Sequence, residues 1–319
     1  MIVDERGDRR APLLVEPAAD EHPAFSPDGR WLVVASRRDR RDEGTSLWVV
    51  PAVAEASPVR LTDGPARDLD PVWTPDGRAI VFASDRGGGG DLDLYRLPIA
   101  VDAGGPRAAG PPEPLTDDPG HELAPSLAGD RLVFQLISVD PARSVIAERL
   151  ADGHIVALTD GPTDGSPALA PDGRRLAYVT PRVRADGGRD LDVVVLDPDA
   201  TAGEATGLAI EATDEGAPAW SVDGRWLFAT SIVRDTEGAP VLSSVIHVDS
   251  RARAPRVRML RDRVGAIPRL GVALAPTVLD AAALAGNPDY LTALAEAVAA
   301  LAAERAEAEA ERARATGDR

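Results

Sequence analysis

The chain has 319 residues, of which 44% are hydrophobic, and its formal net charge at pH 7 is −17. This charge argues against a nucleic-acid backbone or an anionic membrane surface as the partner, because both attract cationic proteins, and it favours cations or basic protein segments. The sequence contains no cysteine and no lysine, which excludes disulfides, thiolate metal sites, a thiol nucleophile and a Schiff-base lysine. No run of residues reaches the roughly eighteen apolar positions of a membrane span.

A proline opens each of six repeated units. The six prolines, spaced by 48, 54, 42, 51 and 50 residues, are Pro23, Pro71, Pro125, Pro167, Pro218 and Pro268. Two residues after each proline comes a bulky apolar residue, and we expect Trp73 and Trp220 at this position to pack between repeats. Five units continue into a turn such as Thr74-Pro75-Asp76-Gly77-Arg78, which is shortened in the third unit. Proline presets the first turn position and glycine supplies a positive φ, so this turn predicts a β-hairpin.

Three further runs follow the turn in each complete unit. In the second unit they are Ala79 to Ser84, Leu94 to Leu97, and a short run that ends in Leu115-Thr116-Asp117. Four short strands per unit at this period are typical of a β-propeller blade. We therefore predict an all-β propeller in residues 1–276 and a helical tail in residues 277–319.

The number of blades depends on how the two ends of the propeller are completed. The sixth unit, around Pro268-Arg269-Leu270, has no Asp-Gly-Arg turn, whereas Pro12 to Glu16 resembles the fourth strand of a blade. We expect six blades, with the last one closed by strands from the N-terminus, since closure removes exposed strand edges. The alternative is five blades with a residual edge strand.

The C-terminal tail begins with the helix-start sequence Asn287-Pro288-Asp289, a cap followed by proline at the first helical position. A narrow apolar stripe follows, formed by Leu291, Leu294, Val298 and Leu301. We expect this helix to dock against the propeller of a monomer, and helix-mediated association is the alternative.

An acidic residue stands three positions before the opening proline in five units. These residues are Asp20, Asp68, Glu122, Asp164 and Glu215. The segment leads into the innermost strand of a blade, so the five acids are expected to surround one mouth of the central channel. Two interpretations remain open: a site that binds a cation or a basic peptide segment, or solvated turn residues.

Two loops and two histidines suggest metal ligands without completing a site. Asp91 and Asp93, like Asp190 and Asp192, alternate beside glycines as in calcium loops, but neither loop carries the further acids of a full site. His22 and His121 lie near the same mouth but are out of register. We therefore expect neither a bound metal nor a cofactor.

Segments such as Pro71 to Ser84, followed by Asp85-Arg86-Gly87-Gly88 and Asp93-Leu94-Tyr95-Arg96-Leu97-Pro98, resemble the WD-like repeats of the TolB-type β-propeller family over residues 12–275. The resemblance implies a six-bladed propeller, and it implies a periplasmic protein that binds other envelope proteins. The chain departs from that family in showing no N-terminal α/β domain and no signal peptide. Similar repeats occur in prolyl-oligopeptidase-type and tricorn-type peptidases, but no Gly-x-Ser-x-Gly elbow is present here.

We expect a non-enzymatic scaffold that binds a protein or peptide partner, with a basic segment of that partner at the acidic channel mouth. One alternative is a hydrolase or lyase with a site in the channel, and another is an assembly subunit that uses the C-terminal helix. The N-terminus as given favours a cytoplasmic location, whereas the family resemblance favours the periplasm if an exported segment was trimmed.

Overall fold

The computed structural model describes residues 2–3, 10–11, 20–38, 44–52, 57–102, 104–139, 142–183, 189–199, 206–208, 214–234, 240–249, 257–260 and 278–280. Within these ranges the regular elements are β-strands, which form five blades and one short hairpin. The prediction of an all-β propeller is confirmed. The five blades seen in the described residues match the five-blade alternative.

The strands follow one another along the chain and pair antiparallel within each blade. The N-terminal hairpin contains β1 (Ile2–Val3) and β2 (Arg10–Ala11). Blade 1 contains β3 (Asp20–Phe25), β4 (Trp31–Ser36), β5 (Ser46–Pro51) and β6 (Val59–Arg60). Blade 2 contains β7 (Asp68–Trp73), β8 (Ala79–Ser84), β9 (Asp93–Asp102), β10 (Gly105–Ala108) and β11 (Glu113–Pro114). Blade 3 contains β12 (His121–Ala128), β13 (Arg131–Val139), β14 (Ala142–Arg149) and β15 (Ile155–Ala157). Blade 4 contains β16 (Gly165–Leu169), β17 (Leu176–Val183), β18 (Arg189–Leu196) and β19 (Thr206–Leu208). Blade 5 contains β20 (Asp214–Trp220), β21 (Trp226–Arg234), β22 (Pro240–Asp249), β23 (Val257–Leu260) and β24 (Val278–Asp280).

The repeated Asp-Gly-Arg turn joins the first two strands of a blade and satisfies its own polar groups. In blade 2, Thr74 Oγ1 donates to Asp76 Oδ1 at 2.6 Å, and the same oxygen accepts the Arg78 N–H at 3.0 Å. Gly77 has the positive φ, 68°, that the turn requires. Because these turns lie at one end of the channel, we call that end the turn mouth. The opposite end, where the loops lead into each innermost strand, is the loop mouth.

The hydrophobic core lies between neighbouring blades. Between blades 1 and 2, Val33 and Leu47 pack in one cluster with Trp73 and Phe82. Trp220 packs against the cluster between blades 4 and 5, and its indole Nε1 donates to the Ala168 carbonyl at 2.9 Å. The predicted packing of Trp73 and Trp220 between repeats is confirmed, so these side chains are not candidates for a ligand platform.

Several predictions about the two ends of the chain lie outside the described residues. They concern the fourth-strand segment at 12–16, the sixth unit around Pro268 and the helix from Asn287. Within the predicted tail, Val278–Asp280 forms β24, which pairs with β23 at the edge of blade 5. In the parts of the chain that the structure describes, no helix is long and apolar enough to cross a membrane.

Candidate functional site

The five predicted acids occupy equivalent positions at the loop mouth. Asp20 and Asp68 begin β3 and β7, Glu122 and Glu215 are the second residues of β12 and β20, and Asp164 directly precedes β16. Asp20, Asp68, Glu122 and Glu215 face Ser36, Ser84, Leu136 and Ser231 on the second strands of their blades. Their constant distance from the opening proline therefore corresponds to an equivalent place in each blade, and partner binding by these residues stays a prediction.

Most of these carboxylates are buried, which differs from the interpretation that they are solvated turn residues. Asp68, Glu122 and Asp164 are 1%, 0% and 2% exposed. Asp20 is ion-paired with Arg38, with 2.7 Å between Arg38 Nη2 and Asp20 Oδ1. The side chain of Glu215 lies outside the described residues. The described acids of this set are thus buried or engaged within their own blade.

Asp68 shows what such a buried acid does. Its carboxylate Oδ1 accepts hydrogen bonds from Ser84 Oγ and Arg86 Nη2, both at 2.6 Å. Its backbone N–H donates to the Thr45 carbonyl of blade 1 at 2.9 Å. Burial raises the pKa of Asp68, and the hydrogen bonds from Ser84, Thr62 and Arg86 oppose that rise. Asp68 therefore ties blade 2 to blade 1 and holds the arginine in place.

Asp164 forms the same kind of contact between blades 3 and 4. Its N–H donates to the Ser144 carbonyl of blade 3 at 2.9 Å. Its carboxylate accepts hydrogen bonds from Thr180 Oγ1 at 2.6 Å and from the Gly161 N–H at 3.1 Å. In Asp68 and Asp164 the backbone N–H thus contacts the preceding blade, while the carboxylate accepts a hydroxyl hydrogen bond within its own blade.

Exposed carboxylates at the loop mouth come from a different part of the repeat. The Leu-Thr-Asp segments place a buried or half-buried threonine against the third strand, as where Thr62 Oγ1 accepts the Leu47 N–H at 2.8 Å. The aspartates that follow these threonines, Asp63, Asp117 and Asp160, are exposed, and so is Asp118, which follows Asp117. No ion pair engages them among the described residues. Sequence reasoning used these segments only as turn markers.

The residue directly before each opening proline has a left-handed backbone. The φ angles of His22, Asp70, Ala124, Ser166 and Ala217 lie between 46° and 51°. Residues other than glycine rarely adopt this conformation, and a following proline disfavours helical backbone geometry further. Each of the five residues lies at a β-bulge, where the pairing register shifts. Bulges re-aim side chains, so each blade presents one residue differently at this point.

Two of these left-handed residues connect three blades. His22 Nδ1 lies 2.9 Å from Asp70 Oδ1, and Asp70 Oδ2 accepts the Ala124 N–H at 3.0 Å. The hydrogen bond to Asp70 raises the pKa of His22 above its ordinary value, and burial opposes it. The His22 side chain is 50% exposed, and Nδ1 is the ring nitrogen that contacts Asp70. We had not selected Asp70 from the sequence, although its place before Pro71 could have indicated it.

His22 and His121 do not come together. His121 Nδ1 accepts the Leu92 N–H at 3.1 Å, whereas His22 contacts Asp70. In the part of the chain that the structure describes, no three His, Asp or Glu side chains converge closely enough to form a complete metal-ligand set.

Comparisons with solved structures support the fold. A TolB from Agrobacterium tumefaciens, described as putative, shares 20% identity, with a TM-score of 0.58 over 76% of this chain and 81% of that one. The TolB of Acinetobacter baumannii shares 18% identity, with a TM-score of 0.59 over 79% of this chain and 57% of that one. An oligogalacturonate lyase in complex with manganese shares 15% identity, with a TM-score of 0.51 over 73% of this chain and 63% of that one. At these identities the likeness shows the fold alone.

Sequence comparison gives the family. No curated protein sequence matches the chain. The family profile described as the TolB beta propeller domain matches residues 8–223, which is more than half of the chain. The protein therefore belongs to the TolB beta propeller domain family.

Proposed function

We propose that the protein is a non-enzymatic propeller that binds a protein or peptide partner at the loop mouth. The observation that carries this proposal is the difference between the two ends of the channel. At the turn mouth the same self-satisfied turn recurs, with Asp28, Asp76 and Asp223 each accepting a hydroxyl hydrogen bond. At the loop mouth the left-handed residue changes from blade to blade. A surface without repeat symmetry suits an asymmetric ligand such as an extended peptide.

The charge at the loop mouth favours a basic segment of that partner. Arginines at this end are already engaged, as where Arg67 pairs with Asp85 and Arg86 pairs with Asp68. The exposed carboxylates of Asp63, Asp117, Asp118 and Asp160 have no such partner among the described residues. Together with the net charge of −17, they would attract arginine and lysine side chains in a salt-dependent way.

Direct contact of the partner with Asp20, Asp68, Glu122, Asp164 and Glu215 stays a prediction. The burial of Asp68, Glu122 and Asp164 supports an indirect role, in which they hold the blades that present the exposed carboxylates. We therefore assign the first encounter with the partner to the exposed acids.

An arginine-rich peptide tests the proposal when its binding is followed by fluorescence anisotropy at several salt concentrations. Changing Asp63, Asp117, Asp118 and Asp160 together to Asn is expected to weaken binding about tenfold or more and to flatten its salt dependence. The control changes four carboxylates at the opposite end, those of Asp130, Asp152, Asp172 and Asp197, to Asn. Equal weakening in both variants would contradict binding at the loop mouth.

A hydrolase or lyase with a channel site is the second candidate. The pairing of His22 with Asp70 favours it, because a carboxylate at Nδ1 orients an imidazole whose Nε2 can then accept a proton. Oligogalacturonate and short peptides are suitable trial substrates, given the lyase among the solved structures. Turnover that is lost in His22→Ala and retained in His154→Ala would favour the enzyme over the scaffold.

An assembly subunit that uses the C-terminal helix is a third candidate. A pull-down with the full chain and with a chain lacking residues 277–319 separates it from binding at the loop mouth. Loss of the partner only in the shortened chain would favour the helix.

The location of the protein affects which partners it meets. The comparisons give no support to the cytoplasmic location that we expected from the N-terminus, and family membership favours the periplasmic alternative. Fractionation of cells that produce the full-length natural gene product distinguishes the two.

A further inference from the structure

Glu122 occupies the same position as Asp68 but lacks the partners of Asp68. At the register position where Ser84 faces Asp68, Leu136 faces Glu122. Two residues further on, where blade 2 has Arg86, blade 3 has Ser138. Glu122 therefore has neither the serine hydroxyl nor the guanidinium that satisfy the equivalent carboxylate.

The carboxyl group of Glu122 is buried and incompletely bonded. Its side chain is fully buried, and Oε2 accepts one hydrogen bond, from Thr116 Oγ1 at 3.0 Å. Oε1 is buried and has no hydrogen-bond partner. A buried carboxylate oxygen without a donor is costly, so the carboxyl group of Glu122 needs either a proton of its own or a cation beside it.

The group that faces Glu122 across the blade boundary is a second carboxyl. Asp93, the first residue of β9, shares a hydrogen bond with Glu122, which requires a proton on one of the two carboxyl groups unless a cation replaces it. Burial, followed by the charge of Asp91, raises the pKa of Asp93. The glycine-rich loop passes against it, since a Cβ on Gly87 would lie 3.2 Å from Asp93 Oδ2. Asp117 and Asp118 add further negative charge near the pair. No basic side chain pairs with Asp93 or Glu122 among the described residues.

We propose that Asp93 and Glu122 bind a hard divalent cation, Ca²⁺, at the boundary between blades 2 and 3. The cation takes the place that the Arg86 guanidinium fills beside Asp68. Asp93 is half-buried, so ions and water reach the site from the loop mouth. Asp91, Asp117 and Asp118 lie outside the direct ligand set and concentrate cations near it.

The donor chemistry selects the class of metal. The available ligands are carboxylate oxygens and the Thr116 hydroxyl, which suit Ca²⁺ rather than Zn²⁺ or copper. The nearby imidazole of His121 is engaged at Nδ1 by the Leu92 N–H. Since only two carboxylates meet directly, water completes the coordination, and the affinity falls in the weak range of about 10⁻⁵ to 10⁻³ M.

Calorimetric titration of the chelator-treated full chain with CaCl₂ tests this site. We expect one Ca²⁺ per chain and a rise in Tm with calcium. Glu122→Gln and Asp93→Asn should each weaken binding at least tenfold. Asp160→Asn, which removes an exposed carboxylate at the same mouth, should leave the affinity within about twofold.

Three outcomes would overturn the proposal: no heat and no Tm shift in the unaltered chain, unchanged binding in both Glu122→Gln and Asp93→Asn, or equal weakening in Asp160→Asn. If Glu122→Gln fails to fold, Asp93→Asn decides, because its side chain is partly exposed. A Ser138→Arg variant adds a second check, since an arginine beside Glu122 should compete with the cation.

Discussion

A buried acid lies at the same repeat position at two blade boundaries, Asp68 between blades 1 and 2 and Glu122 between blades 2 and 3. The partners of the two carboxyl groups differ. Asp68 receives a serine hydroxyl and an arginine, each at 2.6 Å. Glu122 receives one threonine hydroxyl and faces Asp93. Asp68 is 1% exposed and Glu122 is 0% exposed. The backbone N–H of each acid donates to the preceding blade, Asp68 to the Thr45 carbonyl and Glu122 to the Leu92 carbonyl, so the two positions differ in the partners of the carboxyl group. The cation beside Glu122 is our proposal for this difference.

Removing the carboxylate of Asp68 should have the largest effect on stability. Asp68→Ala leaves Arg86 and Ser84 without their partner, and breaking a buried ion pair costs about 3–5 kcal/mol. Urea unfolding measures the loss. Asp63→Ala, which removes an exposed carboxylate nearby, should stay within about 0.5 kcal/mol of the unaltered chain. Similar losses in both variants would mean that the buried carboxylate of Asp68 does not stabilise the fold.

Neutralising Glu122 in the presence of chelator should have the next largest effect. Burial raises the pKa of Glu122 to about 8 from 4.5, and the negative charges of Asp93 and Asp118 add to this rise. The folded chain therefore holds a proton that the unfolded chain releases above pH 4.5. The stability that protonated Glu122 contributes is fully present below pH 4.5 and is lost as the pH rises through about 8.

The Glu122→Gln variant should lose that dependence on pH. At pH 9 we expect it to be more stable than the unaltered chain by about 2–4 kcal/mol, and at pH 5 the two should be nearly equal. Urea unfolding at the two pH values makes the comparison. A constant difference between the chains from pH 5 to pH 9 would contradict the raised pKa of Glu122.

Ser138→Arg gives blade 3 an arginine at the position that Arg86 occupies in blade 2. In chelator at pH 8 we expect a gain of about 1 kcal/mol, because a charge-assisted hydrogen bond then reaches Glu122. Thermal and urea unfolding measure it. A destabilised Ser138→Arg variant would show that the two blade boundaries differ in shape as well as in sequence.

The smallest effect concerns the left-handed pair at the channel. The hydrogen bond to Asp70 should keep the NMR-measured pKa of His22 above its ordinary value of 6.5. In Asp70→Asn that pKa should fall, and the pair's favourable charge interaction is present at low pH and lost as the pH rises through the raised pKa. An unchanged pKa of His22 in Asp70→Asn would show that Asp70 does not raise it.

Local features of this fold could be predicted from the sequence, whereas contacts between blades could not. The turn around Asp76 follows from proline, aspartate and glycine within five residues, and the structure confirms it. The acid column could be located because its distance from the opening proline is constant. Its burial could not, since the hydroxyl that donates to Asp68 comes from Ser84 on the facing strand and the carbonyl that accepts its N–H comes from Thr45 of blade 1.

The loop at Asp91 and Asp93 illustrates the same limit. Taken alone it lacks the acids of a calcium site, which is why the sequence favoured ordinary turn chemistry. In the site that we propose, the further carboxylate comes from Glu122, on the innermost strand of the next blade, which contacts Asp93. In blade 4 the corresponding Asp192 meets Arg182 at 3.2 Å instead, so the two similar loops have different surroundings.

Crystals of the full chain soaked with Tb³⁺, which replaces Ca²⁺ in oxygen sites, test the comparison most directly through anomalous diffraction. We predict one strong peak between Glu122 Oε1 and the carboxylate of Asp93, and none beside Asp68. Peaks confined to exposed carboxylates such as Asp117, or a map with no peak at the boundary between blades 2 and 3, would contradict the account.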